Sequence, residues 1–146
     1  MSSVEKRDWL LLFLRERPLD RIRLMKGLFL LWHRSGRNIE GFFEFVPYMY
    51  GPCSFALYNA IEAAKRERLV TQAPHPVERW APYFLTAQGA HSAACTADQV
   101  DPRLLQLIRS IAAEVASTGF YELLRRVYTE APDFASESVL AQRTRE

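Results

Sequence analysis

The chain of 146 residues has little cysteine, little histidine and no long apolar run. Cys53 and Cys95 are too few for a disulfide framework, which points to a reducing cytoplasm. His33, His75 and His91 are scattered, and neither they nor the cysteines show metal-ligand spacing. There is no H-E-x-x-H pair, no phosphate-cradling glycine loop and no G-x-S-x-G elbow, so neither metal nor cofactor is expected and the protein reads as a non-enzyme. The longest uninterrupted apolar stretches, Trp9 to Leu14 and Leu28 to Trp32, fall far short of the roughly 18 residues that span a bilayer. The amino terminus is charged, unlike a signal peptide, and no repeat, low-complexity run or Gly/Ser linker divides the chain.

What remains has the composition of a globular domain, 49% hydrophobic and 25% charged. Net charge is only +2, but its distribution is uneven. Through Val70 there are 12 Lys and Arg against 8 Asp and Glu, so 12 − 8 = +4; from Thr71 onward there are 7 against 9, so 7 − 9 = −2. Lysine is nearly absent beside arginine, a choice that suits planar, bidentate contacts with phosphate or carboxylate.

Apolar spacing predicts a first helix over Val4 to Arg15, ended by Pro18. Asp20 is placed to cap a second, Arg21 to about Ser35, whose apolar residues cover most of its circumference and put it at the centre of the core. Phe42 to Tyr50, with Pro47 inside, suits a short edge strand or an extended connector. A third helix follows from about Ser54 to Arg68. Leu69-Val70 and Tyr83-Phe84-Leu85-Thr86 then form a two-stranded wing around the proline-rich loop Ala73 to Pro82. Asp101-Pro102 starts an amphipathic helix, Thr118-Gly119 breaks it, Phe120 to Thr129 forms another, and a short helix follows Pro132. The expected fold class is mainly α with a small β-hairpin (α+β): a winged helix-turn-helix core over residues 1–90 and a C-terminal helical extension, 91–146, packed on it.

The order of these elements, with Tyr83-Phe84-Leu85-Thr86-Ala87-Gln88-Gly89, resembles the helix, wing and Y-x-L-T-x-x-G signature of bacterial winged-helix regulators. A second set of residues runs Leu24-Met25-Lys26-Gly27-Leu28-Phe29, then Tyr48-Met49-Tyr50-Gly51-Pro52, then Leu57-Tyr58. Over Arg21 to Val70 this resembles the Panacea, or SocA-like, group, with its K-L-x-K-L-L-Y/F helix followed by Y/W-x-Y-G-P. The second half departs from that pattern. That resemblance implies a small bacterial or phage protein that acts through partners, by toxin neutralisation or delivery of a toxin to a protease, without catalytic residues.

Several residues are candidate contacts. Arg23, Lys26 and Arg34 share one side of the second helix, with Arg37 just beyond, as a solvated or a phosphate-facing strip. On the third helix Phe55, Asn59, Glu62 and Arg66 form an outward stripe. Asn59 and Arg66 suit base or phosphate contacts if Glu62 is paired with Arg66, whereas an exposed Phe55 favours a protein partner. In the wing, Arg79 is the phosphate candidate and Trp80 either pins the loop or anchors a partner. Tyr50-Gly51-Pro52 reads as a structural turn flanked by Tyr48 and Tyr58, with ligand binding the alternative. Cys53, at a helix start, reads as a packed residue or a redox-sensing thiol, and His33 as a cap on the last carbonyls of its helix. An exposed Leu104, Leu107, Ile111 and Val115 face would make a homodimer. The leading expectation is a regulator that binds double-stranded DNA; the alternative is an antitoxin-like or adaptor protein that contacts another protein, such as a toxin.

Overall fold

A computed structural model describes residues 4–135. The chain is mainly helical with one two-stranded antiparallel sheet, in winged-helix-like order. Helix α1, Lys6–Glu16, opens with a capping box in which the Asp8 carboxylate accepts from the Glu5 amide at 2.9 Å. Its face from Trp9 to Leu14 is buried. Pro18 and Leu19 lead into α2, Arg21–Arg34, where the Asp20 side chain accepts from the Arg23 amide at 3.0 Å, as a cap should. Gly27 lets α2 lie against α1, since a Cβ there would come within 3.0 Å of the Phe13 ring.

Residues 35–54 connect α2 to α3, Phe55–Arg66, and are irregular apart from one antiparallel bridge between Val46 and Cys53. Of the two expectations for Phe42 to Tyr50, the extended connector is the one found, and the step from α2 to α3 is a long loop and not a tight helix-turn-helix. Strand β1, Val70–Gln72, pairs with β2, Tyr83–Leu85, in the register Val70 to Leu85 and Gln72 to Tyr83. Leu19 adds a third, strand-like contact by accepting from the Tyr83 amide at 2.9 Å.

Helix α4, Ala87–Ala97, was not expected: its buried residues Gly89, Ala93, Thr96 and Ala97 are helically spaced but too small to stand out as an apolar stripe, yet they let it pack closely against α1. Helix α5, Pro102–Ser117, starts as expected, with Asp101 accepting from the Arg103 amide at 2.9 Å. Helix α6, Phe120–Glu130, follows, and a 3-10 turn, Pro132–Phe134, stands where a short helix was expected. The expected domain boundary at residue 90 falls inside α4, and one continuous core joins α1, α2, α3, α5 and α6. Residues 136–146 of the expected extension lie outside the described residues.

On α5, Ile111 and Val115 are fully buried and Leu104 and Leu107 are half-buried against the core. The face expected to pair two copies is used within the chain. Among the described residues no helix is long and apolar enough to cross a membrane.

Candidate functional site

The expected strip on α2 faces inward. Arg23 donates to the carbonyls of Val115 (3.1 Å) and Thr118 (3.2 Å), closing the C-terminal end of α5, and pairs with Asp20 at 2.7 Å. Arg34 lies between two carboxylates, donating to Glu130 at 2.7 and 2.9 Å and to Glu114 at 3.0 and 3.3 Å. These bonds raise the Arg34 pKa, with Glu130 the larger cause, and hold the Glu130 carboxyl below its ordinary range. Arg37 makes a bidentate pair with Asp133 at 2.8 and 3.0 Å. Its Nε also donates to His33 Nδ1 at 3.1 Å, while the His33 ring stacks on Phe29; His33 thus accepts a side-chain donor in place of the expected cap on helix carbonyls. Arg23 finds its acid in the Asp20 cap of the same helix, and the acids that bind Arg34 and Arg37 come from the other half of the chain. Neither a solvated nor a phosphate-facing strip exists at Arg23, Lys26 and Arg34.

Replacing Arg34 by methionine leaves Glu114 and Glu130 facing each other half-buried, with an expected loss of about 1–2 kcal/mol at neutral pH. Because Arg34 depresses the Glu130 pKa, that stability is present above the ordinary 4.5 and is lost as pH falls through the folded-state value. Urea denaturation at pH 7 and pH 3.5 should show the gap between wild type and Arg34→Met narrowing in acid; a gap that widens would contradict the clamp.

Lys26 is the exception on this helix. It is 3% exposed. Burial pushes its pKa down from 10.5 to about 8, with the nearby Cys53 and Asp20 acting to raise it. Above it sits the Tyr50-Gly51-Pro52 turn, in which Gly51 has φ +101°. A Cβ at Gly51 would stand 3.1 Å from Lys26 Cε and 2.9 Å from Leu124 Cδ1, so only glycine fits both the backbone and the space.

Lys26 forms part of a cleft of about 160 Å³, lined also by Arg21, Arg79 and the rings of Tyr48, Tyr50 and Tyr58. Cys53 lines it from the start of α3, but burial raises its thiol pKa, the Tyr58 hydrogen bond and the Lys26 charge opposing. A redox-sensing thiolate needs the opposite shift. Tyr50 and Arg79 also border a second cleft of about 250 Å³ formed with Trp80, Phe120 and Tyr121. Trp80 meets Phe120 edge-on at 5.6 Å, which pins the wing loop to α6, and the Arg23 guanidinium lies 5.9 Å from its ring centre. Pinning, not a free anchor, is what the structure gives Trp80.

Around both clefts the surface is apolar. Phe55 is 60% exposed at the start of α3 and meets Tyr48 edge-on at 6.1 Å; Val46, Met49, Tyr50, Tyr58 and Tyr121 are exposed as well. Farther along α3, Asn59 and Arg66 are exposed, and Glu62 pairs with Lys65 at 3.5 Å, not with Arg66. The six expected nucleic-acid contacts therefore fall into three places: Arg23, Lys26 and Arg34 inside, Asn59 and Arg66 on the outer face of α3, and Arg79 at the cleft. Sequence reading missed Arg21 and Met49 here, because nothing in the spacing of either shows that the connector folds back over α2.

Among the described residues no cluster of His, Cys, Asp and Glu could hold a metal ion. Comparison with protein-family models, with curated proteins and with solved structures finds no match to this chain.

Proposed function

We propose that the protein is a docking or adaptor module that binds another protein through the aromatic surface around Tyr48, Phe55 and Tyr58. The exposed Phe55 carries this reading. A phenyl ring left in water beside exposed tyrosine and methionine is the composition of an interface core, where aromatic residues and methionine are enriched. Arg21 and Arg79 border the same surface, and none of the residues lining its cleft is acidic. The partner that fits is an apolar protein segment flanked by acidic residues. The expected toxin-neutralising or adaptor role belongs to this class.

Double-stranded DNA is the second reading, favoured by the exposed Asn59 and Arg66, which lie on α3 where a winged helix presents its reading face. The paired state of Arg23 and Arg34 takes up two of the six contacts it called for.

One experiment separates them. The product of the adjacent gene is co-expressed, its affinity measured by calorimetry, and a duplex DNA titrated in parallel at two salt concentrations. Phe55→Ala should weaken the protein complex about tenfold or more, and Arg66→Ala should leave it unchanged. Salt-dependent DNA binding abolished by Arg66→Ala, with no protein complex, would replace the docking reading. Self-association abolished by Phe55→Ala would make the partner a second copy of this chain.

A further inference from the structure

We propose that the cleft beneath the Tyr50-Gly51 turn binds a small monocarboxylate on a short apolar or aromatic stem, its acid group on Lys26 and its stem among Tyr48, Tyr50 and Tyr58. The site goes beyond the docking reading and stands without it, because its test uses no protein partner.

Four observations converge. Lys26 is almost wholly buried and still forms part of the cleft. An ammonium in that position is poorly hydrated, and an anion in the cleft supplies it with a charged acceptor. Arg21 and Arg79 add two further cations to the lining, which contains no carboxylate; the nearest acid, Asp20, is committed to Arg23. Gly51 keeps the space open, since a Cβ there would lie 3.3 Å from Lys26 Nζ. The volume, about 160 Å³, admits one acid group and a short stem but no nucleotide, and Ile22, Met25, Pro52 and the tyrosine rings line it with apolar surface that a bare inorganic anion would leave unused.

The test is a titration of the intact protein with phenylacetate, acetate, inorganic phosphate and the neutral 2-phenylethanol, followed by amide chemical shifts at Gly51, Cys53 and Tyr58. Phenylacetate should bind about tenfold or more tightly than acetate or 2-phenylethanol. Lys26→Met should abolish this binding, and Arg79→Gln, which keeps the ammonium, should weaken it several-fold. The affinity should fall as pH rises through about 8, where Lys26 loses its proton. The groups facing that proton are Asp20 and Arg21 at the start of α2, Tyr48, Tyr50 and Cys53 on the connector, Tyr58 on α3 and Arg79 on the wing loop; α6 contributes the apolar Leu124. No binding of phenylacetate, equal binding of 2-phenylethanol, tighter binding of phosphate, or unchanged binding in both variants would each overturn the proposal.

Discussion

Gly89→Ala is expected to destabilise the protein by about 3–5 kcal/mol, a large share of the stability of a typical domain. A Cβ on Gly89 would stand 1.9 Å from the carbonyl oxygen of Leu69 and 2.9 Å from its carbonyl carbon. These are backbone atoms, so no side-chain rotation relieves the overlap. The carbonyl cannot retreat cheaply either. The Leu69 oxygen accepts from the Thr86 amide at 3.0 Å, while the Thr86 hydroxyl donates to the Arg68 carbonyl at 2.6 Å and accepts from the Gly89 amide at 3.0 Å. Arg68 itself sits at φ +61°, the left-handed region, to make the bend between α3 and β1. Moving α4 outward would break its cap and the seam between α4 and the wing. Urea denaturation of Gly89→Ala measures the loss; a midpoint equal to that of wild type would show that helix and bend are not locked in this way.

That same glycine shows why part of this fold was legible. The physics of Thr86-Ala87-Gln88-Gly89 is local: a threonine cap and a glycine that lets a helix start against a carbonyl. The caps at Asp20 and Asp101 were readable for the same reason, since each bonds an amide two or three residues away. Helix α4 was missed because its helically spaced buried residues are small and pack by closeness, which leaves only a weak apolar stripe. For Phe42 to Tyr50 the sequence left an edge strand and a connector open, because aromatic and β-branched residues serve equally to cover a core from an irregular segment, as Phe42 and Phe43 do.

The largest misreading concerned charge, and its cause is also physical. A helical wheel shows what one helix presents but not what faces it. Arg34 finds Glu114 and Glu130, and Arg37 finds Asp133, across 80 to 96 residues of chain. The basic half, net +4, and the acidic half, net −2, are thus partly complementary within the molecule. The division that suggested a phosphate surface instead ties α2 to α5, α6 and the 3-10 turn that follows α6. What was legible at the candidate site was the turn Tyr50-Gly51-Pro52 with its flanking tyrosines. Lys26 was assigned to the wrong surface, since its spacing matches Arg23 and Arg34 while its burial depends on the connector that folds over it.

Lys26→Met is expected to make the protein more stable, by about 3 kcal/mol at neutral pH. The native state holds the ammonium where burial lowers its pKa from 10.5 to about 8. Below pH 8 the group is charged in both folded and unfolded chains, so the full cost of burying it falls on the native state. Between about 8 and 10.5 the native chain has released the proton while the unfolded chain still binds it, so wild-type stability rises with pH relative to a variant without the amine. Methionine has nearly the same length and keeps the apolar contacts of the stem beside Gly51 and Leu124. The gap should be widest below pH 8 and shrink towards pH 10. A variant no more stable than wild type at pH 7, or a gap constant with pH, would mean that the ammonium is already neutralised in the native protein. A stabilising substitution at this one position would instead mark the amine as a group the fold holds at its own expense, and the two arginines and three tyrosines beside it say what such a charge is held for.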